Sequence, residues 1–242
     1  VMSEIPGVSS TASPRDIGDA VARYLVDCLT SGPWQTTAKG LKSTQGDQTT
    51  EIRMRRLPRP TQTGVGVWFE PMLAIRDRSL RTWRRQHPDL ATIQDDRMCE
   101  WTLSELGPTY RNPVVLTTDD PEWVNIASRR SSIDDLASHL NDWILPIREY
   151  LRSPSGLLSL PDPWIDTGWL LQLVEFAVAR GEPDVTMPLL ARTRWLEDPA
   201  FKRGREMALA GKDPVRDWPQ VLGYRIAKLG LHYDLGIATS ET

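Results

Sequence analysis

A chain of 242 residues with a formal net charge of -3, 40% hydrophobic and 25% charged residues, has the make-up of a soluble globular protein, long enough for one large domain or two small ones. The slightly acidic total argues against generic nucleic-acid or membrane binding, which calls for a basic excess or a strong basic patch. Two cysteines, Cys28 and Cys99, cannot build a disulfide framework; each falls in an apolar periodic pattern and reads as a buried thiol of a reducing compartment.

Residues 1–12 are small and polar and read as a mobile tail, with neither the basic start nor the apolar core of a secretory leader. No apolar run approaches the ~20 residues of a membrane span, so the chain is expected to be cytosolic. Ser13-Pro14-Arg15-Asp16 then reads as a helix start, with a capping serine, proline at the first helical position and an acid behind it. Ile17, Val21, Tyr24, Leu25, Cys28 and Leu29 follow at helical spacing, and Ser31-Gly32-Pro33 ends the helix. Residues 36–44 read as an edge strand centred on Leu41, and Gln45-Gly46-Asp47-Gln48 as a tight turn.

A strand carrying Ile52, Met54 and Arg56 on one face and Arg53, Arg55 and Leu57 on the other comes next, and Pro58 and Pro60 are expected to end it. Gly64-Val65-Gly66 leads into a second strand through Val67-Trp68-Phe69, with a bulge or exit at Pro71. Ser79 is expected to cap a short helix through Leu80 and Trp83, closed by His87-Pro88. Residues 98–106 alternate as a further strand, stopped by Gly107-Pro108. Val114-Val115-Leu116 and residues 123–126 read as short extended pieces around a turn at Asp119-Asp120-Pro121.

Ser132 and Asp135 form a capping box for a long helix with an apolar stripe of Ile133, Leu136, Leu140, Trp143, Ile144, Ile147 and Leu151. Pro146 lies inside that stripe and predicts a kink near Trp143. From Pro161 the pattern is helical only. One helix at 166–180 is apolar nearly all round and stopped by Gly181; others are expected at 184–196, from Asp198-Pro199 to Gly211, and over about 218–231. Ten tryptophans are many for this length; most are expected in the core, while Trp164, Trp169 and Trp218 read as anchors of the helical region onto the sheet domain. The expected fold is α+β: an antiparallel sheet of about four strands packed by helices (13–155), followed by an all-helical region (156–242).

The order of elements, with Gly66-Val67, Cys99, Glu105-Leu106-Gly107, Trp123 and Leu145-Pro146, resembles an uncharacterised bacterial family catalogued as domain of unknown function 4304. The likeness covers residues 15–155. The chain departs from the family pattern at Gly32-Pro33-Trp34 and in having a single tryptophan at 123. The resemblance implies the fold and a bacterial origin, and it carries over no catalytic residue.

No phosphate-binding loop, nucleophile elbow, dinucleotide fingerprint, HExxH or CxxC occurs, and His87, His139 and His232 are far apart in sequence. Asp119-Asp120 and Asp134-Asp135 have structural explanations, as turn chemistry and as acids at a helix N-terminus. No catalytic residue, cofactor or metal is therefore expected.

The one surface that stands out lies in residues 49–85. Between residues 51 and 86 there are nine arginines and three acids. Arg53, Arg55, Arg56, Arg81, Arg84 and Arg85, with Trp68 and Trp83 as stacking surfaces, form a candidate interface for phosphate or an acidic protein. The bland alternatives are a solvated sheet face, core tryptophans and an arginine bias from GC-rich coding, since only five of the 29 basic residues are lysine. The leading expectation is a non-enzymatic protein acting through protein–protein contact, of the immunity or defence-associated kind. Nucleic-acid binding through the same surface is the alternative, and an enzyme with a site assembled only in space the third.

Overall fold

The computed structural model describes residues 14–61, 64–102, 126–166, 168–214 and 217–235. The expected tail, the cap Ser13, the end of the 98–106 strand, and the extended pieces and turn between 114 and 125 lie outside these residues. The fold is α+β. Helix α1 (Pro14–Cys28) is followed by a sheet of β1 (Gln35–Thr37), β2 (Gly40–Gln45), β3 (Gln48–Thr61), β4 (Gly64–Asp77) and β5 (Arg97–Thr102), in that spatial order. Helix α2 (Arg78–Gln86) interrupts the sheet between β4 and β5, and α3 (Ile126–His139) and α4 (Leu145–Tyr150) follow it. The remainder is helical: α5 (Asp162–Ile165), α6 (Leu170–Ala179), α7 (Thr186–Ala191), α8 (Pro199–Leu209) and α9 (Trp218–Tyr233).

The chain divides into two compact units, each discontinuous in sequence. One comprises Val1–Ile75 and Glu100–Arg148; the other comprises Arg76–Cys99 and Glu149–Thr242.

In the first unit the alternation around Leu41 is a hairpin rather than a single edge strand. Gln35 pairs with Lys42 and Thr37 with Gly40, and β2 then runs antiparallel to β3 from Gly40↔Arg53 to Gln45↔Gln48 about the expected turn. Helix α1 packs on this sheet and on α3, burying Ala20, Val21, Leu25 and Leu29 against a core that includes Leu41, Ile52, Leu136 and Leu140. Cys99 is buried as expected, whereas Cys28 at the end of α1 is only half-buried.

Pro58 and Pro60 do not end β3, which continues to Thr61. Prolines two apart leave gaps on one edge of a strand only, and among the described residues the register with β2 stops at Arg53, short of both prolines. Pro71 likewise does not divert β4, which runs on to Asp77. Ser132 is not a cap either, because α3 begins at Ile126 and the serine pair falls in its interior. There the favourable propagation of an existing helix outweighs the local capping pattern.

The irregularity expected before Pro146 is a π-helical turn at Leu140–Ile144. Pro146 has no N–H to return to the carbonyl four residues back, and the extra residue of a π turn absorbs that defect. The turn sets Asn141 against the end of α1, where its Nδ2 donates to the Cys28 carbonyl (3.0 Å) and its Oδ1 accepts from the Thr30 N–H (3.0 Å). Tyr24 donates its hydroxyl proton to Asp134 Oδ1 (2.5 Å), a second tie between α1 and α3.

The second unit is built around α6. Every residue from Leu170 to Val178 is buried, as its all-round apolar sequence requires. The helix starts later than the pattern predicted, at Leu170, after the single turn of α5. Residues 184–196 form not one helix but α7 between two 3₁₀ turns, Pro183–Val185 and Arg194–Glu197. Trp164 is buried and Trp218 exposed.

Asp198 caps α8 by accepting from the N–H groups of Ala200 (2.8 Å) and Phe201 (3.1 Å), with Pro199 at the first helical position. Helices α8 and α9 are antiparallel and meet through glycine. A β carbon on Gly204 would fall 2.0 Å from the Gln220 carbonyl oxygen, and one on Gly223 would fall 2.1 Å from that of Phe201.

Candidate functional site

Helix α2 carries the densest part of the arginine cluster, and its two faces have opposite fates. The helix is capped by Asp77, not by Ser79: the Asp77 carboxylate accepts from the Ser79 N–H (2.8 Å) and hydroxyl. Asp77 is buried, and its second oxygen accepts from Arg180 Nη2 at 2.6 Å. Substituting Asp77 with alanine removes the cap and the charged hydrogen bond to Arg180 together, and is expected to cost about 2 kcal/mol in chemical unfolding.

The inward face of α2 is Leu80, Trp83 and Arg84. Arg84 is 0% exposed. Its Nε and Nη2 donate to Glu175 Oε2 (2.8 and 2.6 Å), and its Nη1 donates to the carbonyls of Asp95 (2.9 Å) and Arg97 (2.7 Å). Glu175, on α6, is equally buried, and its other oxygen accepts from the N–H (2.9 Å) and hydroxyl (2.7 Å) of Thr92. The pair is hydrogen-bonded on both sides, which is the condition for burying charge at tolerable cost. Arg84 is thus a structural ion, and its place in the candidate interface is corrected.

Trp83 is corrected on the same ground. It is buried and donates its indole N–H to the Tyr233 hydroxyl (2.7 Å), with His87 stacked on it at 5.0 Å between ring centroids. His232 lies edge-on to His87 at 5.5 Å, a proximity that sequence separation concealed. His139 is half-buried, with its Nδ1 at the Asp135 carbonyl.

Arg53, on β3, lies between two acids: Nη2 is 2.7 Å from Glu51 Oε2 and Nη1 is 3.2 Å from Glu100 Oε1. Arg76 is paired with Asp96 at 2.6 Å. The backbones of Arg55, Arg56 and Trp68 lie in β3 and β4, while their side chains fall outside what is described.

The outward face of α2 is Arg78, Arg81, Thr82, Arg85 and Gln86, all exposed. Arg78, Arg81 and Arg85 follow the three- and four-residue spacing of one helical stripe and rise about 4.5 and 6 Å between successive members. None of the three has an ion-pair partner among the described residues. The stripe runs against the helix dipole at its start, since Arg78 and Arg81 sit in the first turn where a cation is disfavoured.

Among the described residues no group of three His, Cys, Asp or Glu side chains is placed to hold a metal ion, and no helix is long and apolar enough to cross a membrane. A groove in the second unit, lined by Pro199, Ala200, Arg203, Asp217 and Gln220, gathers no nucleophile or imidazole. No family model, curated protein or solved structure matches the chain.

The burial of Arg84 did have a signal in the sequence. Leu80, Trp83, Arg84 and His87 share one helical face, and Glu175 is the lone acid in the apolar run of α6. Each is a charge on a buried face, and together they point to one another.

Proposed function

We propose that the protein acts without catalysis, by binding an acidic protein partner through the outward face of α2. The observation that carries this reading is the stripe of Arg78, Arg81 and Arg85, three exposed guanidiniums without a described acid, two of them placed where the helix dipole opposes them. Intrinsic stability does not account for that placement, whereas a ligand carboxylate on each fork does. An acidic helix with carboxylates every three or four residues has the matching rise. The bacterial origin implied by the resemblance, and a role of the immunity or defence-associated kind, are consistent with a protein that works by contact alone.

Nucleic-acid binding is less well supported. Three of the clustered arginines are already spent on Glu51 and Glu100, Asp96, and Glu175, and Trp83 is buried and unable to stack on a base.

The test is affinity capture from a low-salt bacterial extract, with the parent chain and the triple variant Arg78→Ala, Arg81→Ala, Arg85→Ala as bait. The expected result is one or a few acidic proteins held by the parent, released by salt, resistant to nuclease and absent from the variant. The variant should unfold within about 0.5 kcal/mol of the parent, because the stripe makes no internal contact that is lost. Equal retention by both baits refutes the proposal, and loss of binding on nuclease treatment transfers the stripe to nucleic acid.

A further inference from the structure

In the second unit, α8 and the start of α9 border the groove lined by Pro199, Ala200, Arg203, Asp217 and Gln220. Its volume is about 410 Å³, inside the ~300–1,000 Å³ span of small-molecule sites. Two short stripes at helical spacing face it, Ala200 and Arg203 from α8, Asp217 and Gln220 from α9. The glycine contact fixes the distance between them. Gly204 follows Arg203 directly, and a β carbon on it would lie 2.0 Å from the Gln220 carbonyl oxygen, so the helices meet backbone to backbone beside the groove. Gln220 is 5% exposed, and its Nε2 donates to Met207 Sδ (3.2 Å). Walls held in this way are set before a ligand arrives, which lowers the cost of binding.

Both charges of the groove are unspent. Asp217 is the N-cap of α9, yet its carboxylate accepts no capping bond. The sequence supplies a reason: a capping side chain accepts from the second or third helical N–H, and the second position here is Pro219, which has none. Arg203 is exposed, and neither its side chain nor that of Asp217 has a hydrogen bond or ion pair among the described residues. The two line one cavity without pairing with each other. A guanidinium fork takes a carboxylate through two parallel bonds, and a carboxylate accepts from an ammonium group. Pro199 and Ala200 add a wall without charge.

We propose that this groove binds a small zwitterion, a free amino acid or a dipeptide with both ends free. Arg203 takes the carboxylate, Asp217 takes the ammonium group, and an apolar side chain lies along Pro199 and Ala200. A ligand with one charge leaves the other side of the groove unmatched, so the pair selects for both charges together. The site uses no residue of α2 and stands whether or not the arginine stripe binds a partner.

The experiment is calorimetric titration of the full chain with leucine and with the dipeptide glycyl-leucine. Two singly charged analogues are run beside them: N-acetyl-leucine, which keeps the carboxylate, and leucine amide, which keeps the ammonium group. Saturable binding is expected for at least one zwitterion, with both analogues about tenfold weaker or worse. Leucine alone identifies a free amino acid, and glycyl-leucine alone a dipeptide. Arg203→Gln should weaken the zwitterion about tenfold and leave leucine amide as it was. Asp217→Asn should weaken the zwitterion likewise and leave N-acetyl-leucine as it was. Both variants should unfold at the parent's midpoint, because neither side chain makes an internal bond that is lost. The proposal is overturned if neither zwitterion binds saturably, if an analogue binds as tightly as the zwitterion, or if the variants bind it as the parent does.

Discussion

Replacing Gly204 with valine is expected to cost about 4 kcal/mol of stability, lowering the unfolding midpoint by roughly 10 °C for a chain of this size. The reason is geometric. Helix α8 approaches α9 so closely that the first side-chain carbon on Gly204 would sit 2.0 Å from the Gln220 carbonyl oxygen, 2.8 Å from its carbon and 2.9 Å from the Tyr224 nitrogen. These are backbone atoms of a helix interior, which cannot rotate away as the end of a side chain does, so the helices must separate. Gly223 makes the reciprocal contact with Phe201, and Gly223→Val should act in the same way. Separation would also loosen Phe201, which is fully buried, and the bond from Gln220 Nε2 to Met207 Sδ. Lys202→Ala, on the exposed side of α8, is the control and should change little. Scanning calorimetry of the three variants decides the matter, and a midpoint for Gly204→Val within a degree or two of the parent would contradict the close approach.

The second large effect belongs to the buried ion pair. Glu175→Ala leaves Arg84 charged and 0% exposed, with two backbone carbonyls and the longer ion pair to Asp95 Oδ1 (3.8 Å) for its five N–H groups, and deprives Thr92 of its acceptor. A loss of about 3 kcal/mol is expected in urea unfolding at constant slope, since a buried charge that has lost its hydrogen-bonded partner is far costlier than the absence of both charges. The double variant Arg84→Met with Glu175→Leu should therefore recover most of that loss. The two single substitutions should couple strongly in a double-mutant cycle. If Glu175→Ala and the double variant prove equally unstable, the pair is not what sets the cost. These variants leave Arg78, Arg81 and Arg85 in place, so they separate the inward role of α2 from the outward one.

Much of the fold was legible because its signals were local. Asp198-Pro199 and Gly211 bracket α8, the apolar circumference of 170–178 marks a central helix, and Gly46-Asp47 fixes the β2–β3 register. The errors fell where a neighbour overrode a local rule. Pro58 and Pro60 stop a strand only if their edge is covered, and coverage by β2 ends at Arg53. Ser132 caps a helix only if the helix has not already begun. For the arginines, charge density was legible, but the direction each side chain takes was not. Arg84 and Arg85 are adjacent in sequence and lie on opposite faces of one helix, one bonded to Glu175 and the other in solvent.

The interleaving of the two units has a consequence for how the chain matures on the ribosome. Residues 76–99 are made before the first unit is finished, yet they belong to a unit whose other part starts at Glu149. Arg84 must wait for Glu175, 91 residues later, before its charge can be taken out of water. A nine-residue helix is marginal on its own, and until α6 is made this segment lacks the acid that holds Arg84 out of water. Only when α6 emerges does one side of it turn inward. The asymmetry of the finished helix is thus conferred late, by an acid that the growing end of the chain delivers.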